Sequence, residues 1–271
     1  MRRITSRNAT FQQWQALLTN RNKRQRAREF LVQGVRPITV AVERGWPVHA
    51  LLYDSDRALS QWARELLGSV QAEKYAMSRE LLAELSEKDD TAAEVLAVLG
   101  SPADDLERIL VGPRFLGVLF DRPTSPGNIG SLIRSADAFG ADGVIVAGHA
   151  ADVYDPKSVR ASTGSLFAVP AVRVPSPRDV TDWLAAKRAD GIPVAVVGTD
   201  ETGTVDIFDF DLTGPVLLLV GNETTGLSTA WREVCDHVVR IPMVGSASSL
   251  NAANAATAVL YEVSRQRAHK A

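Results

Sequence analysis

In the second half of the chain, short runs of apolar residues alternate with longer segments of helical spacing. The apolar runs are Leu116–Phe120, Gly143–Ala147, Val194–Val197, Val216–Val220 and Val238–Ile241. The segments whose apolar positions have helical spacing are Asn128–Phe139, Arg178–Ala189, Leu227–Cys235 and Ser249–Gln266. Continuous apolar runs are typical of strands that are covered on both faces. This alternation therefore predicts an α/β domain with a parallel, helix-covered sheet.

The first hundred residues predict a smaller α/β domain. Its strands are expected at the start of Phe30–Arg36, at Val48–Tyr53 and at Val95–Leu99, and its helices at Ile38–Arg44, Leu59–Leu67 and Arg79–Leu85. A polar, proline-containing stretch begins at Ser101 and continues to Arg114, which predicts a linker. We therefore expect two domains, at residues 1–104 and 112–271.

Composition narrows the class of protein. The 271 residues include 45% hydrophobic and 23% charged side chains, which is typical of globular proteins and excludes disorder throughout. No apolar run approaches the roughly 18 residues of a membrane span, and no signal-like segment follows Met1, so we expect a cytoplasmic protein. The single cysteine, Cys235, and four scattered histidines lack metal-ligand spacing, so we expect no metal site.

A net charge of −2 conceals a strongly basic start of the chain. Within the first thirty residues, eight arginine and lysine residues stand against one acidic residue, Glu29. Such a cluster is typical of phosphate contacts with nucleic acid, and equally of a solvated helix face or a tail. The aromatic and amide side chains at residues 11–14 favour RNA over the solvated face.

The loops after the apolar runs are the expected place for a site, because ligands lie beyond the carboxyl ends of parallel strands. Four of these loops are small, polar and contain glycine: residues 121–130, 198–200, 221–226 and 242–251. The sequence therefore predicts a polar site at one edge of the sheet.

Three of these loops carry motifs that resemble the SpoU branch of the SPOUT class of RNA ribose 2′-O-methyltransferases. The motifs are Pro126-Gly127-Asn128-Ile129-Gly130 with Arg134, Leu219-Val220-Gly221-Asn222-Glu223 with Gly226, and Ile241-Pro242-Met243 followed by Ser249-Leu250-Asn251. The resemblance implies a deep trefoil knot in the second domain and S-adenosylmethionine as the cofactor. It also implies 23S rRNA as the substrate and a homodimer as the assembly.

The first domain is similar to the ribosomal-protein-like RNA-binding module that often precedes this family's catalytic domain. Phe30–Arg36 carries this resemblance, with Gln33 where the family usually has glutamate. The whole chain, including Arg160-Ala161-Ser162-Thr163-Gly164, is similar to a branch of 23S rRNA methyltransferases that confer avilamycin-type resistance. We therefore expect resistance to a ribosome-targeting antibiotic as the biological role.

The resemblance implies roles for individual residues. The implied catalytic residues are Arg134, Asn128, Glu223, Ser249 and Asn251. The implied cofactor-binding residues are Thr199, Gly221, Asn222, Glu223, Ile241, Met243, Ser249 and Leu250. The candidates for RNA binding are Arg24, Arg26, Arg36 and Arg160.

Arg134 is implied to act on the ribose hydroxyl, and the apolar stripe of its helix turns it away from the core. A guanidinium is a weak base, so two roles stay open: it accepts the proton with help from a substrate phosphate, or it stays charged and stabilises the developing alkoxide. Asn128 is expected to position Arg134 by hydrogen bonding, and Glu223 to hold Arg134 or neighbouring polar groups. The alternatives are a surface ion pair for Arg134, a helix N-cap for Asn128 and a turn carboxylate for Glu223. Ser249 and Asn251 are also ordinary helix caps.

Small and apolar residues near the motifs lead to two packing expectations. Gly221 lets the backbone approach the cofactor, while Ile241, Met243 and Leu250 are expected to sandwich adenine. A small-residue face of the last helix is expected to pack on a second copy of the chain; it comprises Ala252, Ala255, Ala256 and Val259.

Other functions fit the sequence less well. A non-catalytic rRNA-binding protein of the same fold is the alternative, but it would have little need for all the polar motif residues together. A dinucleotide-dependent dehydrogenase requires Gly-x-Gly-x-x-Gly after a strand, and an NTPase requires the phosphate-binding loop with its lysine. Neither motif occurs. The sequence therefore predicts an RNA (ribose-2′-O-)-methyltransferase.

Overall fold

The computed structural model describes residues 2–86, 93–247 and 249–269. The chain divides into two compact units, one formed by Met1–Pro102 with Tyr154–Ala168 and the other by Ala103–Val153 with Val169–Ala271. The helices are α1 (Ala9–Thr19), α2 (Arg21–Ala27), α3 (Val35–Glu43), α4 (Gln61–Ser69), α5 (Arg79–Glu84), α6 (Pro126–Ala138), α7 (Pro156–Ser162), α8 (Pro177–Ala189), α9 (Thr229–Val234) and α10 (Ala252–His269). The strands are β1 (Arg2–Ile4), β2 (Glu29–Gln33), β3 (Val48–Asp54), β4 (Glu73–Met77), β5 (Val95–Gly100), β6 (Leu116–Asp121), β7 (Gly143–Ala147), β8 (Ala171–Val174), β9 (Ala195–Thr199), β10 (Val205–Asp206), β11 (Val216–Val220) and β12 (His237–Arg240).

The first unit is built on a five-stranded sheet in the order β1-β4-β3-β5-β2. Strands β1, β4 and β3 run parallel, whereas β5 runs antiparallel to both β3 and β2. Phe11 and Trp14 of α1 pack into a core with Leu52, Leu81 and Leu96. The predicted elements of this unit are present, but β1 and β4 were not predicted because their short, charged segments show too few apolar positions.

The basic start of the chain forms the short strand β1 followed by helices α1 and α2. The Asn8 side chain caps α1 by accepting a hydrogen bond from Phe11 N, and the Asn20 side chain caps α2 by accepting one from Lys23 N. Helix α2 ends at Ala27, and the C-cap residue Arg28 has a left-handed φ of 53°. Four of the basic side chains therefore lie on α2, while Arg2 and Arg3 lie on β1, and the tail considered from the sequence is not what this segment forms.

Residues 154–168 follow β7 in the chain but complete the first unit. The rings of Tyr154 and Phe167 lie 4.7 and 6.3 Å from the ring of Phe30. Trp46 Nε1 donates a 3.1 Å hydrogen bond to Phe167 O. These aromatic contacts attach the segment to β2 and to the turn after α3, although in chain order it falls within 112–271. The bounds 1–104 and 112–271 stay a prediction about which parts of the chain fold independently.

The second unit contains a seven-stranded sheet in the order β10-β12-β9-β11-β6-β7-β8, and every adjacent pair is parallel. This arrangement confirms the predicted parallel α/β fold; the short edge strands β8 and β10 were not predicted. Val220, at the end of β11, lies opposite Phe120 of β6 and Thr199 of β9. The carboxyl ends of these three strands are therefore level, which brings their loops together. The trefoil knot stays a prediction.

Helix α10 packs against α6 within the second unit. Ser135 Oγ and Thr257 Oγ1 lie 2.6 Å apart between the two helices. On α10, Ala252, Ala256 and Val259 are all buried inside their own unit. Three of the four residues expected to pack on a second copy are therefore used for close packing within the chain, which corrects that expectation, while the fourth, Ala255, is half-buried.

No helix among the described residues is long and apolar enough to cross a membrane. Over the same part of the chain, no group of three or more His, Cys, Asp and Glu side chains is placed to hold a metal ion. Cys235 is half-buried, with its Sγ 3.2 Å from Trp231 O, and burial raises the pKa of the thiol to about 11. Its thiol is therefore neutral at physiological pH.

Candidate active site

A pocket of about 430 Å³ lies where the loops after β9, β11 and β12 meet the start of α10. All eight residues predicted to bind the cofactor line it: Thr199, Gly221, Asn222, Glu223, Ile241, Met243, Ser249 and Leu250. The level carboxyl ends of the parallel strands explain why residues so distant in sequence meet here. The structure therefore places the predicted set around one cavity.

The loop of residues 221–226 is held in shape by one asparagine and two glycines. Asn222 and Gly226 exchange two backbone hydrogen bonds of 3.0 and 3.1 Å, and Asn222 Oδ1 accepts from Thr224 N and Thr225 N. Gly226 has a φ of +63°, which favours glycine. A Cβ on Gly221 would lie 2.4 Å from the carbonyl carbon of Gly226. Glycine is therefore required at position 221 by contact within the loop, a reason that differs from the predicted approach to a cofactor.

Glu223 is the acceptor at the centre of the site. Its Oε2 accepts from Thr124 N at 3.1 Å and Thr124 Oγ1 at 3.2 Å, and its Oε1 accepts from Ser125 N at 3.3 Å and Asn128 Nδ2 at 2.9 Å. Burial opposes ionisation, but these hydrogen bonds outweigh it and lower the pKa of Glu223 below its ordinary value. The carboxylate is therefore ionised at neutral pH, and it attaches the loop before α6 to the loop after β11.

Asn128 connects Glu223 to the last helix. Its Oδ1 accepts a 3.1 Å hydrogen bond from Asn251 Nδ2, while Asn251 Oδ1 accepts from Ala253 N and Asn254 N at the start of α10. The cap of α6 is Ser125, whose Oγ accepts from Asn128 N, so the N-cap alternative for Asn128 is wrong. Asn251 therefore caps α10 through its Oδ1 and bonds to Asn128 through its Nδ2. We call these residues the Glu223–Asn128–Asn251 chain.

Arg134 lies on the exposed side of α6, with the apolar stripe of that helix buried as predicted. Among the residues that the structure describes, Arg134 forms no hydrogen bond or ion pair, and it is not part of the pocket lining. Within a single chain Asn128 does not bond to Arg134, and of the two roles expected for Glu223 the structure shows the second, because its carboxylate holds neighbouring polar groups. The guanidinium is left available to a group outside its own chain.

The loop after β6 is also tied to the site, by Asp121 and Arg122. Asp121 is 1% exposed; its Oδ2 accepts from Ser228 N at 2.8 Å and its Oδ1 from Arg122 Nε at 2.9 Å. Arg122 has a φ of 47°, a costly conformation for a residue with a side chain. Its carbonyl accepts a 2.7 Å hydrogen bond from Asn222 Nδ2, which holds that conformation in place.

Asp200, Thr202 and Arg232 line the pocket as well, and none of them was predicted. Asp200 follows β9 directly and lies in a loop that the sequence indicated as part of the site, but Thr199 was the residue of that loop predicted to bind the cofactor. Arg232 lies on α9 and belongs to no motif, so a single sequence holds no signal for it.

The RNA-binding candidates all lie in the first unit, but one of them is buried. Arg24 is 4% exposed; its Nη1 donates to Leu17 O at 2.7 Å and Leu18 O at 3.1 Å, and its Nη2 lies 3.4 Å from Asp155 Oδ2. This guanidinium attaches the end of α1 to the start of α7, so we no longer assign it to RNA. The remaining candidates are exposed: Arg26, Arg36 and Arg160.

Comparisons with known proteins identify the family of this chain. The chain matches the SpoU L30e-like domain over residues 8–97 and the SpoU rRNA Methylase family over residues 116–261. A 23S rRNA (uridine(2479)-2′-O)-methyltransferase of Streptomyces viridochromogenes is 71% identical over 266 residues, which are 98% of this chain and 93% of the relative.

Two solved structures are similar over nearly the whole chain. The SpoU methyltransferase AviRb from Streptomyces viridochromogenes, in complex with the cofactor AdoMet, has a TM-score of 0.94 at 71% identity and covers 97% of this chain and 99% of its own. An AdoMet-bound rRNA methyltransferase from Sinorhizobium meliloti has a TM-score of 0.86 at 30% identity and covers 97% of each chain. These findings confirm the resemblance drawn from the motifs: the chain belongs to the SpoU rRNA methylase family.

Proposed function

We propose that this protein is an S-adenosylmethionine-dependent methyltransferase that acts on a ribose 2′-hydroxyl of 23S rRNA. The observation that carries the proposal is the pocket of about 430 Å³ beside the Glu223–Asn128–Asn251 chain, where three motifs of the family meet. Family membership and the 71% identical relative support the same activity. The target we propose is the uridine named for that relative.

The pocket suits S-adenosylmethionine in size and in chemistry. Its volume is that of a small-molecule site, and Ile241, Met243 and Leu250 offer apolar surface to a purine ring. Thr199 and the backbone of residues 221–226 supply polar groups at the same cavity. When bound, S-adenosylmethionine supplies an electrophilic methyl group on a sulfonium sulfur.

The residues of this chain then have to position the ribose hydroxyl and accept its proton. The Glu223–Asn128–Asn251 chain orders the loop before α6, so it positions the start of the helix that carries Arg134. Two roles fit the exposed guanidinium: a proton acceptor assisted by a substrate phosphate, or a charged anchor for the phosphate and the developing alkoxide. Ser249 lines the pocket and is assigned to ligand binding.

RNA binding is assigned to the first unit. Arg26, Arg36 and Arg160 are exposed on α2, α3 and α7, and Arg36 Nε donates a 3.2 Å hydrogen bond to Thr163 O just after α7. Exposed arginine side chains bind the phosphate groups of RNA and fix its position without recognising its base sequence. The three side chains therefore supply affinity, and the choice of nucleotide belongs to the second unit.

We further propose a homodimer that acts in the cytoplasm, where rRNA is made. With the alanine face of α10 buried, the surface left for a second copy is its exposed side, which carries Asn254, Ala258 and Tyr261. Tyr261 is 58% exposed, and its ring lies 6.1 Å from that of Phe139 at the end of α6. A dimer through this surface brings a second chain to the helix that carries Arg134.

Primer extension at low deoxynucleotide concentration tests the function. Treatment of 23S rRNA with the protein and S-adenosylmethionine is expected to add one stop, at the proposed uridine, which is missing when the cofactor is omitted. Binding of rRNA without any new stop would refute the enzyme and support the non-catalytic rRNA-binding protein. Expression in a sensitive strain is expected to raise its tolerance of avilamycin-type antibiotics, which tests the resistance role.

A further inference from the structure

An ion pair between Arg232 and Asp200 forms part of the pocket wall. Arg232 lies on α9, just after the loop of residues 221–226, and Asp200 directly follows β9. Both residues line the pocket, and their side chains are 40% and 7% exposed. The pair therefore connects the loop after β9 to the helix that follows the loop of residues 221–226, and the Glu223–Asn128–Asn251 chain does not include it.

The guanidinium of Arg232 donates to three different groups. Its Nη2 donates to Asp200 Oδ2, its Nη1 to Thr202 Oγ1 at 3.4 Å and its Nε to Leu227 O at 3.2 Å. Asp200 Oδ1 in turn accepts from Thr202 N at 3.0 Å and Thr202 Oγ1 at 2.6 Å. One planar cation thus binds the loop after β9 and the end of the glycine-containing loop together, which a lysine could not do.

No backbone hydrogen bond makes the same connection. The ladder between β9 and β11 ends at Thr199 and Val220. Beyond those residues, all of which lie in the described part of the chain, residues 200–203 and 221–227 share no backbone hydrogen bond. Asp200 N donates instead to Val239 O, on β12. Among the described residues, the side chain of Arg232 therefore supplies the hydrogen-bonded connection between these two segments beyond the ladder.

The surroundings keep the pair charged. Burial opposes the ionisation of Asp200, but hydrogen bonds from Thr202 and the charge of Arg232 outweigh burial and lower the pKa of the carboxyl group. Loss of the arginine would leave a buried carboxylate without its cation, which is unfavourable. The loop after β9 would then move towards solvent or towards the cavity.

We propose that Arg232, held by Asp200, is a positioning residue that sets the spacing of the two pocket loops and so determines the affinity for S-adenosyl ligands. This inference rests on the proposed function. Loss of Arg232 is expected to weaken ligand binding and to raise KM for S-adenosylmethionine, while kcat at saturating cofactor stays close to that of the wild type. A side chain that only stabilised the fold would lower the melting temperature without this separation of KM from kcat.

Calorimetry with S-adenosylhomocysteine and the full-length protein tests the inference. Arg232→Ala is expected to raise Kd about tenfold, and Asp200→Asn by a similar factor. The double variant is expected to bind no more weakly than either single variant, because both changes remove one interaction. Arg240→Ala is the matched control: it removes an arginine–aspartate pair on β12, between Arg240 Nε and Asp206 Oδ1, that lies outside the pocket lining. Its Kd is expected to equal that of the wild type.

Three results would overturn the inference: wild-type affinity in Arg232→Ala, additive effects in the double variant, or an equal loss of affinity in Arg240→Ala. If Arg232→Ala does not fold, Arg232→Lys takes its place. Lysine keeps a charge beside Asp200 but cannot reach Thr202 and Leu227 together, so a Kd between those of the wild type and Asp200→Asn is expected, and a wild-type Kd would contradict the inference. Failure of the wild type to bind S-adenosylhomocysteine would refute the proposed function itself.

Discussion

The substitution Glu223→Gln removes the charge at the centre of the site and nearly preserves the shape of the side chain. Both carboxylate oxygens of Glu223 accept hydrogen bonds, one from Thr124 and the other from Ser125 N and Asn128 Nδ2. Glutamine has one oxygen and one NH₂ group, so its NH₂ must face at least one backbone N–H. Rotation of the Asn128 amide would not relieve this conflict, because its partner Asn251 uses its own oxygen to cap α10.

The cost follows from these contacts. A hydrogen bond to a charged group contributes roughly 1.5–3 kcal/mol and a neutral one about 0.5–1.5 kcal/mol, while an unpaired buried donor costs about 1–3 kcal/mol. Glu223 is only half-buried, so solvent reduces these values, and we expect about 2 kcal/mol less stabilisation of the ordered loop. That free energy corresponds to a methyl-transfer rate lowered about thirtyfold, if transfer requires the ordered loop.

The assay is transfer of labelled methyl groups to 23S rRNA, with thermal unfolding measured in parallel. Glu233→Gln on α9 is the control, because it makes the same charge change at an exposed position. Since the folded pKa of Glu223 is lowered, its contribution is present at neutral pH and is lost as the pH falls through the folded pKa. Glu223→Gln should therefore lose less stability on acidification than the wild type. A glutamine variant with full activity at neutral pH would refute the reasoning.

Four other predictions concern single side chains. Arg134→Ala should abolish methyl transfer with S-adenosylhomocysteine affinity unchanged, and Arg134→Lys should fail too because it lacks the planar fork; wild-type turnover of the lysine variant would reduce the arginine to an electrostatic anchor. Arg24→Ala should lower the free energy of unfolding by about 2–4 kcal/mol in denaturant titrations, because it leaves the carbonyls of Leu17 and Leu18 without their hydrogen-bond donor. Arg26→Ala should change that free energy by less than about 0.5 kcal/mol and weaken rRNA binding in filter assays. Cys235 should react with iodoacetamide at pH 8 far more slowly in the folded protein than after denaturation, because its pKa is about 11. Tyr261→Arg should shift sedimentation towards the 29.3 kDa monomer; a wild type that is already an active monomer would exclude the dimer.

Much of the second unit follows from local pattern. Runs such as Val216–Val220 contain only branched apolar residues, and burying them on both faces requires a helix-covered parallel sheet. Parallel strands direct their following loops to one edge, so the polar loops after them had to meet there. The eight pocket residues could therefore be predicted from their positions after the strands together with the family resemblance, without a structure.

Most elements of the second unit, the sheet edge that carries the site and the family could thus be predicted from the amino-acid sequence. The partners of the polar side chains, in contrast, became known only from the folded chain. Arg24 and Arg26 stand in the same basic segment, yet one is buried against Asp155 and the other is exposed. Glu223 bonds to Asn128, 95 positions away, and Arg232 joins two pocket loops without belonging to a motif. Periodicity reports which face of an element is apolar, but a hydrogen-bond partner depends on which distant element packs there, and that information appears only when the chain is folded.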